Sequence, residues 1–335
     1  MLHHMLRASK FGFGAKYANP TTLPTGAGFS VAFSPSGNDI AVAHDTTPFV
    51  SVYPWSSGFG TKYTDPATLP TGAGRGVAFS PSGNDIAVGH QVTPFISVYP
   101  WSGSGFGTKY ANPATLPTGE GRLLAFSPSG NDIAIPHVSS PFISVYPWSG
   151  SGFGTKYANP ATLPIGTGYT ATFSPSGNDI AISHDASPFI SVYSWSGSGF
   201  GTKYANPATL PIGFGWGVAF SPSGNDIAVS HETSPFISVY PWSSGFGTKY
   251  ANPATLPTGA GRGVAFSPSG NDIAVAHFVT PFISVYPWSS GFGTKYANPT
   301  TLPTGNGRGV AFSPSGNDIA VAHSTTPFVS VYPWG

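Results

Sequence analysis

Residues 261–303, GRGVAFSPSGNDIAVAHFVTPFISVYPWSSGFGTKYANPTTLP, hold one complete unit of a pattern that fills the chain. Gly263 to Phe266 (GVAF) reads as a short apolar strand. Ser267 to Asn271 (SPSGN) follows, with proline set for a turn corner and glycine for positive φ. Asp272 to His277 (DIAVAH) alternates large and small: Ile273 and Val275 point one way, Ala274 and Ala276 the other. Pro281 to Trp288 (PFISVYPW) alternates again, placing Phe282, Ser284 and Tyr286 on one face and Ile283 and Val285 on the other. The SSGFG segment makes the next turn, and a fourth strand is predicted near Thr294 to Leu302. That strand carries Lys295 and an Asn298-Pro299 step. Lysine resists burial and proline lacks a ladder donor, so it reads as a protected outer edge.

The string FSPSGNDIA recurs at Phe33, Phe79, Phe126, Phe173, Phe220, Phe266 and Phe312, spaced by 46 or 47 residues. A strand-rich repeat of this length predicts an all-β, seven-bladed β-propeller with four antiparallel strands per blade. One blade cannot bury both faces alone, so the repeats predict a single domain over 11–335, preceded by a flexible leader over 1–10. Both faces of the middle strands are apolar but unequal in bulk. Large side chains of one blade are therefore expected to fill the space beside small ones of the next. The first segment, Ala15 to Leu23 (AKYANPTTL), is a fourth strand, and the last, Pro327 to Trp334, is a third. The N-terminal strand is expected to complete the last blade and join the ends.

Strand, SPxG turn, strand ending in small residues, then a strand closing on Val-Tyr-Pro-Trp: this order resembles the WD-repeat family of β-propellers. The resemblance covers residues 11 to 334 and implies a propeller of WD-like type. That family closes the strand on an aliphatic residue, Trp and Asp, where this chain has Tyr-Pro (Tyr53-Pro54, Tyr286-Pro287). It also lacks the family's Gly-His pair before the first strand. Both departures bear on the family's buried Trp-Ser-His-Asp hydrogen-bond network.

Composition removes several function classes. Only 7% of residues are charged and the net charge is +1, with no basic stripe, so nucleic acid is not an expected partner. With no cysteine there is neither a disulfide framework nor a thiolate site. No apolar run is long enough for a membrane span. No paired carboxylates, nucleophile-base spacing or phosphate loop occur, so the chain does not read as an enzyme, and no cofactor or metal is expected. The repeat histidines (His44, His90, His137, His184, His231, His277, His323) have no second ligand type at a recurring spacing. They read as hydrogen-bonded structural residues. The repeat aspartates of SPSGND read as turn-stabilising.

Positions that differ between copies point elsewhere. One variable window precedes the first strand, from Ala27-Gly28-Phe29-Ser30 to Asn306-Gly307-Arg308-Gly309. The other flanks the repeat histidine. Both are predicted at one end of the disc, where loops on a rigid scaffold bind partners. Copies four to six hold Ile165, Tyr169, Ile212, Phe214, Trp216 and Phe278; copies two, three, six and seven hold Arg75, Arg122, Arg262 and Arg308. Aromatic residues with arginine are the composition of binding hot spots. The expected site comprises Phe29, Arg75, Arg122, Tyr169, Phe214, Trp216, Arg262, Phe278 and Arg308, as an off-centre apolar patch beside an arginine arc. The expected function is a non-catalytic module recognising a protein or surface glycan. It would act as a monomer, or assemble face to face through the patch. Two alternatives stand. One is a multivalent lectin using Trp55, Trp101, Trp148, Trp195, Trp242, Trp288 and Trp334, one site per blade; the other is an amplified or engineered repeat with no selected ligand.

Overall fold

The computed structural model describes residues 12–335, so the expected leader over 1–10 lies outside the described residues. Seven antiparallel sheets follow one another around a ring, and no helix forms among the described residues. In the first blade the strands are Gly28–Phe33, Asp39–His44 and Val50–Pro54, hydrogen-bonded in that order. The first strand of each blade is innermost and lies against the first strands of its neighbours. A narrow axial channel of about 60 Å³ runs between them, lined by residues such as Thr170, Val218, Val264 and Val310.

The core is divided among the blade interfaces, as the alternation of bulk predicts. Between the first two blades, Ala41, Ala43, Val50 and Val52 meet Val77, Phe79, Ile86 and Val88. The same packing joins the last blade to the first, with Ala320, Ala322, Val329 and Val331 against Val31, Ile40, Val42 and Tyr53. No interface is open. The N-terminal segment supplies the outer layer of the last blade: Gly14 N–H donates to Pro333 O at 2.8 Å and Tyr17 N–H to Val331 O at 3.0 Å. A Cβ on Gly14 would lie 2.8 Å from the Pro333 ring, so the closure needs glycine there.

Two sequence expectations are corrected. The fourth strand is an irregular hydrogen-bonded segment that lies earlier than Thr294 to Leu302. In that copy it pairs through the Trp288–Phe292 bridge and through Gly293 N–H to Pro287 O and Tyr296 N–H to Val285 O. Glycine, lysine and the Asn-Pro step make poor ladder residues, and the pairing ends before the proline. A regular fourth strand, Phe200–Lys203, forms in the fourth blade. The third strand starts two residues later than expected, at Ile283, because Phe282 turns to φ +70°. Every blade repeats this, with φ between +68° and +72° at the equivalent phenylalanines. The left-handed conformation costs an L-residue about 1–2 kcal/mol. It is offset where Phe282 N–H donates to Val279 O and Phe282 O accepts from His277 N–H.

The repeat aspartates do more than hold a turn. Asp39 makes the turn through its backbone, its N–H donating to Ser34 Oγ. Its buried carboxylate accepts from Tyr63 Oη at 2.8 Å and from Trp101 Nε1, in the next blade, at 3.2 Å. Asp318 does the same across the closure, accepting from Tyr17 Oη at 2.8 Å and Trp55 Nε1 at 3.1 Å. The histidines are fully buried. His44 Nδ1 lies 2.8 Å from Thr46 O, and Nε2 lies 3.0 Å from Ser51 Oγ. A carbonyl can only accept, so Nδ1 carries the proton and Nε2 accepts from the serine. Both nitrogens of a neutral ring are then used. Burial pushes the seven imidazoles from 6.5 down to about 4.

Between those two values the unfolded chain binds protons that the folded one does not. Stability is therefore full above about pH 6.5 and falls as the pH drops toward 4, by up to about 1.4 kcal/mol per pH unit per histidine. Guanidinium melts at pH 7, 6 and 5 should show the midpoint falling at each step; a constant midpoint contradicts the buried neutral rings. A chain lacking residues 1–24 loses Phe13 and Tyr17 from the last blade, together with the backbone donors of Gly12, Gly14 and Tyr17 and the Tyr17 hydroxyl that holds Asp318. A loss of about 5 kcal/mol, or roughly 10 °C in Tm, is expected by calorimetry. An unchanged Tm contradicts the closure.

Candidate functional site

Each first strand opens with a β-bulge. Gly28 pairs with His44 and Ser30 with Ala43, leaving Phe29 as the extra residue. The same shift falls around Arg75, Tyr169, Trp216, Arg262 and Arg308. In the third blade the Gly121–His137 bridge and Arg122 N–H to Pro136 O make the equivalent offset. A bulged residue is released from the ladder and re-aimed, which is why bulges recur beside binding sites. Here it carries one side chain per blade to the mouth of the axial channel.

Around the ring the bulged residues read Phe29, Arg75, Arg122, Tyr169, Trp216, Arg262 and Arg308. With Leu123 and Phe278 they line a cavity of about 310 Å³, within the range of small-molecule sites. Eight of the nine residues expected from copy-to-copy variation meet there. Phe214 does not line it; it stays 41% exposed on the same face, with Ile165 at 54% and Ile212 at 51%. Aromatic residues and arginines are interleaved in one ring, in place of the expected apolar patch beside an arginine arc.

The arginines lie against aromatic faces. The Arg262 guanidinium is 3.5 Å from the Trp216 ring centroid and 3.9 Å from that of Phe278. Phe29 lies between Arg75 at 4.3 Å and Arg308 at 4.1 Å. Tyr169 packs on Trp216 with centroids 4.2 Å apart. Burial pushes the Arg262 guanidinium down to about 10 and lowers Arg122 and Arg308 as well. One carboxylate enters the ring: Glu120 accepts from Arg75 Nε at 2.6 Å and lies 3.5 Å from Arg122 Nη2.

Sequence reading missed the residues that fit the mouth together. Thr170 Oγ1, where no other blade has threonine, and Ser183 Oγ, where only the fifth blade also has serine, donate to Trp216 O at 2.8 and 3.2 Å. In the third blade Leu123 shifts toward the fourth, its N–H donating to Tyr169 O. The second blade makes room with glycine: a Cβ on Gly89 would lie 2.3 Å from Arg122 O. Matched changes in adjacent copies were the available signal.

The seven indoles proposed as sugar platforms are placed in the core. Trp55, Trp101, Trp148, Trp195, Trp242, Trp288 and Trp334 are 3–8% exposed. Trp55 packs edge-on against Phe59 and Tyr17, and its N–H is held by Asp318. A sugar ring stacks on an exposed aromatic face, and these residues offer none. No group of three or more metal-ligating side chains occurs among the described residues.

No protein-family model and no curated protein matches the chain. Among solved structures, 1454 chains match. One is described as Kuenenia stuttgartiensis hydrazine synthase. It is 14% identical, with a TM-score of 0.71, and the match covers 96% of this chain and 99% of that one. At that identity the likeness shows the fold alone. The chain is a seven-bladed β-propeller.

Replacing Gly89 with alanine, the residue at the equivalent positions 43, 276 and 322, is expected to cost about 1–3 kcal/mol by denaturant unfolding. The Arg122 carbonyl it meets is backbone and cannot rotate away. A neutral effect means the third blade relaxes freely.

Proposed function

We propose that this propeller is a non-catalytic binding module whose partner engages the variable face at the channel mouth. The observation that carries the reading is the convergence of one bulged side chain from every blade on a single cavity. These are also the positions at which the copies differ, while the SPSGND turns at the opposite end repeat without change. The matched residues around Trp216 and Arg122 support selection on the mouth over loop drift. The exposed Ile165, Ile212 and Phe214 extend the apolar surface and suit a protein or cell-surface partner that covers more than the cavity. The one carboxylate in the ring, Glu120, is occupied by two arginines and poorly placed to act as a base. The blades are WD-like in strand order and in burying Ser-His and Trp-Asp pairs, although here the Trp-Asp bond crosses between blades.

The test replaces Tyr169→Arg, Phe214→Ala and Trp216→Arg together, residues found at the same positions of other copies. Ligands recovered with the unmutated protein in a saturation-transfer NMR screen should lose at least tenfold in affinity, and the Tm reports whether the variant keeps its fold. Binding that survives with the fold intact sinks the reading.

A further inference from the structure

Repeat logic shows how the ring handles a negative charge, and where it leaves room for one. Glu120 of the third blade bonds Arg75 of the second. By the same geometry the partner of Arg262 would come from position 306, and the partner of Arg308 from position 27. Those positions hold Asn306 and Ala27. Among the described residues no carboxylate lies within ion-pairing distance of Arg262 or Arg308. Glu232 and Asp45 act on them only at longer range.

The unmatched charge has unmatched donors. Arg262 Nε, Arg308 Nη1, Arg122 Nε and Trp216 Nε1 are buried side-chain N–H groups without a hydrogen-bond partner among the described residues. All four residues line the mouth cavity. Aromatic faces stabilise a guanidinium charge but accept little from its N–H groups, so stacking on Trp216, Phe278 and Phe29 leaves those donors unmet. An anion there, met by a small turn of the guanidiniums toward the cavity, would do for Arg262 and Arg308 what Glu120 does for Arg75. Arginine forks suit carboxylate and phosphate oxygens, and the flanking rings suit a flat apolar body.

We propose that the mouth, read as a binding site above, takes a small organic anion. Its carboxylate or phosphate sits on the Arg262–Arg308 side, and its planar apolar part packs on Trp216 and Phe29. The inference rests on that reading but fails separately from it.

Isothermal titration of the full chain with 2-naphthoate, 2-naphthyl phosphate, 2-naphthylmethanol and 2-naphthylmethylammonium tests it. One or both acids should bind at one site per chain, at least tenfold tighter than the alcohol and the ammonium compound. Which acid binds tighter separates carboxylate from phosphate recognition. The paired change Arg262→Gln with Arg308→Gln should abolish that preference. Ala27→Glu with Asn306→Glu should abolish acid binding by supplying the anion internally, and its Tm reports whether it folds. Equal affinity for the alcohol, or no acid binding, overturns the anion inference. The binding-module reading then stands or falls on the Tyr169, Phe214 and Trp216 replacement.

Discussion

Each blade is tied to the next by a buried carboxylate that accepts a phenol from its own outer segment and an indole from the neighbour. Asp39, 3% exposed, holds Tyr63 and Trp101; Asp318 holds Tyr17 and Trp55 across the closure. Hydrogen bonds to a charged group contribute about 1.5–3 kcal/mol each, and leaving such a group buried and unpaired costs more than that. The same indole fills the space against Phe33, Phe59 and Tyr17. Tryptophan and aspartate are therefore fixed in every copy by one joint. The joint also explains why the indoles are not platforms for a ligand.

Because neighbours bond through this joint and through the large-to-small packing of the middle strands, the residues that define the ring sit low and midway in each blade. The bulge at the start of the first strand lies outside both. The bulge frees the side chain of its extra residue from the alternation of the strand, so Phe, Tyr, Trp or Arg can stand there. Freedom is not complete, since the carbonyl of a bulged residue presses on the adjacent blade. Gly89 yields to the Arg122 carbonyl, and Thr170 with Ser183 caps the Trp216 carbonyl. The path of the backbone at the mouth is thus matched by residues of the adjacent copy.

Much of the fold was legible in the sequence because each feature appears seven times over. The strand order, the large-small interdigitation and the closure by residues near Tyr17 follow from period and alternation. The outer segment was read too late and too regular: Lys295 and the Asn-Pro step marked it as an edge, but did not show where its pairing begins and ends. Phe282 looked like a strand residue because alternation says nothing about φ. Variation between copies found the candidate residues, but it did not show them meeting. A bulge is one unpaired residue in a register, visible only when both strands are in place. For that reason Arg262 and Trp216, which stack at 3.5 Å, read as members of separate patches.

Around the mouth the order is Phe, Arg, Arg, Tyr, Trp, Arg, Arg, so two arginine pairs face each other across aromatic separators. Like charges side by side in a half-buried ring repel, and burial lowers the proton affinity of Arg122, Arg262 and Arg308. The ring tolerates this by two means. Aromatic faces lie against the guanidiniums on both sides, and Glu120 offsets one of the two charges of the Arg75–Arg122 pair. A near-symmetric ring is thereby made lopsided by a single carboxylate. Seven nearly identical blades present a site with one distinct side, set by a few residues that the scaffold does not need.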